Sequence, residues 1–62
     1  MKPKTKEQCI GVRYAKPHDG LTDLYKDKEC TQFWVRDPWM QYKKSMPRIF
    51  NGAWFWIEIV KL

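Results

Sequence analysis

The thiol and imidazole groups of this chain are Cys9, Cys30 and His18. A Cys/His nucleophile needs a thiolate within hydrogen-bond reach of a base that is itself oriented. His18 stands in Pro17-His18-Asp19-Gly20, whose Pro and Asp-Gly pair mark a turn, and a turn histidine is ordinarily solvated. Structural zinc uses close Cys-x₂₋₄-Cys or His-x₃₋₅-His pairs. Cys9, His18 and Cys30 lack that spacing even with Asp19 as a fourth ligand, so neither metal nor cofactor is expected. Two cysteines are too few for a disulfide-rich secreted scaffold. They are read as free thiols packed as small apolar groups, with a Cys9–Cys30 bridge as the alternative.

The carboxylate pairs Asp19/Asp23 and Asp27/Glu29 lie in polar segments, where such groups stay solvated and cap turns more readily than they exchange protons with a substrate. Gly11, Gly20 and Gly52 are isolated, so there is no phosphate-cradling loop. Length argues the same way. Barrel and doubly wound enzymes need roughly 100–250 residues, and this chain has 62. A non-enzymatic binding or regulatory domain is expected.

The combination that stands out is aromatic side chains beside positive charge. Of the ten aromatics, eight fall between Phe33 and Trp56, and Arg36, Lys43, Lys44 and Arg48 share that stretch. Rings at alternate strand positions present their faces on one side of a sheet, where bases stack while Lys or Arg neutralise phosphates. Trp54 and Trp56 have that relation. The leading expectation is a nucleic-acid-binding surface of Arg36, Lys43, Lys44 and Arg48 on phosphates, with Trp54 or Trp56 against a base. Lys2, Lys4 and Lys6 would add a basic arm with salt-dependent affinity.

Each component also has a plain structural reading. A domain of this size buries only about 60% of its unfolded surface and needs large rings for its core. Lysines and arginines keep such a domain soluble. The alternative function is a protein-binding module or small inhibitor, of the kind viruses direct at host proteins, using exposed aromatics and an unpaired sheet edge. Charge runs from a basic first quarter (five Lys/Arg, one Glu) through an acidic middle at residues 17–40 (three against five) to a basic end (four against one), for a net +5. The acidic middle suits a protein partner better than a phosphate backbone.

These side chains must be positioned by short strands. Ile49-Phe50-Asn51-Gly52-Ala53-Trp54 is a hairpin signal: Asn-Gly supplies the two positive-φ residues of a type I′ turn between aromatic and β-branched flanks. With those two as the loop of a 46–61 hairpin, Phe50 faces Ala53, Ile49 faces Trp54, Arg48 faces Phe55 and Pro47 faces Trp56. Pro47 confines the first strand to a sheet edge. Phe55, Ile57 and Ile59 share one face, and Trp54, Trp56, Glu58 and Val60 the other.

Residues 9–16 alternate, with Ile10, Val12 and Tyr14 on one face and Arg13 and Lys16 pointing away or trailing. The middle admits two readings: strands at about 21–26 and 29–36 separated by an Asp27-Lys28 turn, or a helix over 21–35 capped by Thr22. Asp37-Pro38 ends either element.

The first reading gives an all-β fold, a small antiparallel meander or SH3-like barrel of about five short strands. The second gives an α+β winged helix whose Asn51-Gly52 wing contacts DNA. Residues 1–8 read as a basic, flexible tail and 9–62 as one domain. No run approaches the ~20 apolar residues of a membrane span. A cytoplasmic protein without a membrane partner is expected, monomeric or homodimeric through an edge strand.

Overall fold

The computed structural model describes residues 2–16, 21–38 and 44–60, and the statements below concern these. They form β1 (Gly11–Ala15), β2 (Thr22–Tyr25), β3 (Phe33–Asp37), β4 (Met46–Phe50) and β5 (Ala53–Ile59), preceded by a 3-10 turn at Lys6–Gln8. The strands make one sheet in the order β3-β2-β1-β5-β4, curled into a half-barrel. The all-β expectation therefore holds. The helix over 21–35, and the winged helix with it, does not occur.

The reason lies in residues 27–32. The Asp27 carboxylate accepts hydrogen bonds from the backbone N–H of Gln32 (2.8 Å), the N–H of Thr31 (2.9 Å) and the Thr31 hydroxyl. Those side-chain bonds give the backbone a turn in place of a helix. Cys30 takes the positive φ of 59° that the turn requires, and β2 and β3 run antiparallel on either side.

The hairpin forms in the expected register, with Phe50↔Ala53, Ile49↔Trp54, Arg48↔Phe55 and Pro47↔Trp56. Asn51 and Gly52 hold φ of 51° and 81°. β4 is an edge strand, as Pro47 demands. A two-residue loop makes Phe50–Ala53 a hydrogen-bonded pair, so Ile49 and Pro47 occupy non-hydrogen-bonded pairs whose backbone groups point to the open edge. The missing N–H of Pro47 is thus lost from the edge and not from the ladder.

One pairing differs from a purely antiparallel meander: β1 runs parallel to β5, with Gly11↔Phe55, Arg13↔Ile57 and Ala15↔Ile59. This register decides which face of β1 is inside. Paired residues share a face, so Gly11, Arg13 and Ala15 join Phe55 and Ile57 on the concave side. The apolar stripe of Val12 and Tyr14 lies on the convex side opposite Trp56 and Glu58, and Ile10 is 70% exposed. The expectation that this stripe was the inward face, with Arg13 directed away, is reversed.

The core consists of Ala15, Leu24, Phe55 and Ile57, with Trp34, Val35, Met46 and Phe50 among the side chains packed against it. Trp34 reaches it through an irregularity. Leu24 pairs with Val35 but Tyr25 pairs with Phe33, so Trp34 is an extra residue in β3. A bulge of this kind re-aims a side chain. Trp34 and Val35 both turn to the core, while Phe33 meets Tyr25 edge-to-face on the outside at 6.1 Å.

Candidate functional site

The half-barrel leaves β3 and β4 as its two edges, each paired on one side only. Between them lies a cleft of about 670 Å³. Its apolar wall is Trp34, Phe50 and Phe55, and its rims carry Arg36 and Asp37 from β3 and Arg48 from β4. The bulge supplies Trp34 and the tight hairpin supplies Phe50. The rings are steeply inclined: Trp34 lies 5.1 Å from Phe50 at 69° and 4.7 Å from Phe55 at 58°. These are favourable aromatic pairings that leave an angular hollow in place of a flat platform.

Arg48 borders this hollow, whereas the Arg36 side chain, opposite Asp23, lies on the outer face of the same rim strand, and each arginine is held by a carboxylate through Nε. Arg48 Nε donates to Asp37 Oδ2 at 3.3 Å, with Asp37 only 4% exposed. This pair crosses from β4 to β3. Arg36 Nε donates to the Asp23 carboxylate at 2.7 Å, and that bond raises the Arg36 pKa. A guanidinium carries five N–H donors in a planar fork. Binding through Nε fixes the plane and leaves the two terminal nitrogens of each arginine outside the pair.

Arg13 stands behind the wall. Its guanidinium carbon lies 4.6 Å from the Trp34 ring and 4.8 Å from the Phe55 ring, within the range of cation–π attraction. Nη1 donates to the Val12 carbonyl at 2.9 Å, while the buried Nε has no hydrogen-bond partner among the described residues. Sequence reasoning missed this residue. The signal that could have found it was the parity of Arg13 with Ala15, hidden because the opposite stripe is the more apolar one.

The six residues singled out in the sequence fall on different surfaces. Arg48 borders the cleft, and Arg36 stands on its β3 rim with its side chain on the outer face. Lys44 is exposed just ahead of β4, and Lys43 lies outside the described residues, as do His18, Asp19 and Trp39. Trp54 and Trp56 share the convex face of β5, as expected from their spacing, but that face is turned away from the cleft wall formed by Phe55. Arg48 is thus on the opposite face from the tryptophans, and Arg36 is kept from them by β2 and β1, so they are not brought together.

On the convex face Glu58 is the hub. It accepts hydrogen bonds from the Ser45 hydroxyl (2.6 Å) and the Trp56 indole N–H (3.1 Å), and Lys6 Nζ lies 3.9 Å from its other oxygen. The Ser45 bond above all, then the Trp56 bond, holds its carboxyl below the ordinary range. Of the basic segment 1–8, residues 2–8 are described: Gln8 accepts the N–H of Lys4 (2.6 Å) and Thr5 (3.2 Å), and Pro3 is buried.

Cys9 and Cys30 are both free thiols, and burial pushes each thiol pKa up, the direction opposite to nucleophilic activation. Asp27 is held low, chiefly by the Thr31 hydroxyl, and serves its turn. Among the described residues no three His, Cys, Asp or Glu side chains are grouped to hold a metal ion, and no helix is long and apolar enough to cross a membrane. The site thus offers, among the described residues, two strand edges, an apolar hollow and the oriented guanidinium of Arg48, with that of Arg36 on the outer face of the β3 rim, which are the means of binding. Comparison with protein-family models, with curated proteins and with solved structures finds no match to this chain.

Proposed function

We propose that this chain is a non-enzymatic protein-binding module, or a small inhibitor of a partner protein, that holds an extended segment of that partner along the seam between β3 and β4. The observation that carries the reading is that two sheet edges, unpaired among the described residues, face one cleft. An open edge hydrogen-bonds to an added strand, and a hollow beside it selects that strand's side chains. The inclined rings favour an aliphatic or aromatic side chain over a stacked base, because stacking needs an open ring face.

Nucleic-acid binding is the second reading, favoured by the net charge of +5 and the 56% exposure of the Arg36 side chain. Its weakness is the separation of Trp54 and Trp56 from Arg36 and Arg48. Salt separates the two readings, since phosphate contacts weaken steeply with ionic strength and an apolar contact does not.

The test is selection of peptides from a random display library on the immobilised full chain, followed by amide chemical-shift mapping of the selected peptides. The reading expects shifts concentrated at residues 33–37 and 46–50 that persist at moderate salt. Shifts confined to other residues would overturn it. So would failure of every peptide beside single-stranded oligonucleotide binding that collapses with salt.

A further inference from the structure

Resting on the protein-binding reading, we infer that the segment held in the seam is recognised through its inward face alone. That face carries an aromatic or branched apolar residue with an aspartate or glutamate two positions away: the apolar side chain enters the hollow and the carboxylate meets Arg48. The register decides which residues of this chain face inward. On β4, Phe50, Arg48 and Met46 pair with Ala53, Phe55 and Ile57, on the core side of β5. On β3, Val35 and Asp37 pair with the buried Leu24 and Thr22, whereas Arg36 pairs with Asp23 on the outer face and takes no part.

Two inward contacts cross the seam. The Phe50 ring of β4 meets the Trp34 ring of β3 at 5.1 Å, and Arg48 Nε of β4 donates to the buried Asp37 carboxylate of β3 at 3.3 Å. All four residues line the same cleft. Phe50 and Arg48 are two residues apart on one strand, so the apolar contact and the charged one follow each other along β4 at roughly 6.5 Å. A partner strand repeats its inward side chains at that same interval. Lying along the seam, it therefore presents one inward residue to the rings and the next inward residue to the guanidinium.

The inclined rings of Trp34, Phe50 and Phe55 set the first position, which takes a ring or a branched chain. Arg48 sets the second. Its Nε is bound to Asp37, and it makes no further hydrogen bond or ion pair among the described residues. The Nη1/Nη2 end of a guanidinium matches a carboxylate bidentately, and a first carboxylate on Nε holds the plane for it. Asp37 is thus a positioning residue. The Arg48 side chain is 33% exposed against 4% for Asp37, so a ligand reaches the cation of this pair and not the anion. The net charge of +5 favours the approach of an acidic segment over a basic one.

The experiment uses two fluorescein-labelled peptides of about nine residues, identical in composition, on a threonine background that suits an extended chain. Each has a central phenylalanine. One carries glutamates two positions to either side of it, so that ring and carboxylates share a face whichever way the strand runs; the other carries them at the adjacent positions, on the opposite face. A third peptide has lysine for glutamate in the first arrangement. In anisotropy titrations at moderate salt the in-phase peptide should bind at least about tenfold tighter than either control, with amide shifts at residues 33–37 and 46–50. Arg48→Lys should weaken it about tenfold and remove its advantage over the out-of-phase isomer, because lysine keeps the charge and loses the fork. The peptide comparison uses the parent chain, so it stands even where Arg48→Lys disturbs folding.

Equal or tighter binding of either control, with shifts still at those residues, overturns the inference and leaves the seam reading standing. So does an undiminished preference in a folded Arg48→Lys chain. Failure of all three peptides where library-selected ones still shift residues 33–37 and 46–50 also overturns the inference alone. Failure of every peptide, selected ones included, overturns both readings. A thymidine oligonucleotide that binds more tightly than the in-phase peptide and displaces it does the same.

Discussion

Arg48 and Asp37 join the two open edges, and the burial of Asp37 makes this charge pair unlike its neighbour. Removing one partner of a buried pair strands a charge in a poorly hydrated place and costs several kcal/mol, less here because about a third of the Arg48 side chain meets solvent. Asp37→Asn should therefore lower the unfolding free energy by about 1–3 kcal/mol in urea titrations. Asp23→Asn, at the exposed pair with Arg36, should lower it by less than about 1 kcal/mol. Equal effects would show that the Arg48–Asp37 pair is not a structural link across the seam. Glu58 gives a pH signature of its own. Its folded-state pKa lies below the ordinary 4.5, so its stabilising contribution is fully present above about pH 4.5 and disappears as the pH falls through the lowered value. Thermal unfolding of Glu58→Gln should show a shallower loss of stability between pH 5 and pH 3 than the parent chain. An unchanged slope would assign the acid sensitivity to other carboxylates, with Asp27 the first to examine.

At the scale of the element the hairpin is the part of the fold most legible in sequence, because its register follows from two loop residues and needs no distant partner. Gly52 tests the cause. A Cβ added there meets nothing within 4 Å, yet its φ is 81°. Gly52→Ala should therefore cost only the backbone term, about 1–2 kcal/mol, and Asn51→Gly should stay within about 0.5 kcal/mol of the parent. A Gly52→Ala variant as stable as the parent would mean that the turn is not type I′. The strands at 21–36 were half legible. The β-branched and aromatic run marked β3, but its start fell at Phe33 and not at 29, because Asp27 extends the turn through Thr31 and Gln32. The bulge at Trp34 left no sequence mark, since an extra residue is defined only by the strand opposite. The inward face of β1 was misread for a related reason: alternation gives two faces, and only the pairing with β5 says which is inside.

For the whole molecule the same limit applies to the candidate site. Arg36 and Arg48 could be picked out by charge and proximity; the hairpin register already sets Arg48 on the face opposite Trp54 and Trp56, but the distance of Arg36 from them follows only from the strand order, and the cleft exists only because the half-barrel stops short of closure. A small domain that leaves its seam open must find stability elsewhere, and the N-terminal segment is one source. Pro3 is buried and Lys6 approaches Glu58, the residue that also fixes Trp56 and Ser45. Deleting residues 2–8 removes that buried proline and one charge beside Glu58. A loss of about 1 kcal/mol shifts the midpoint of a domain this small by roughly 4–8 °C. The truncated chain should therefore melt at least about 4 °C lower by circular dichroism, with its tryptophan emission shifted to the red as Trp56 becomes wetter. A flexible tail, by contrast, would leave both the midpoint and the emission where they are. That outcome would confine the folded unit to residues 9–62 and leave Lys2, Lys4 and Lys6 as an unattached basic arm.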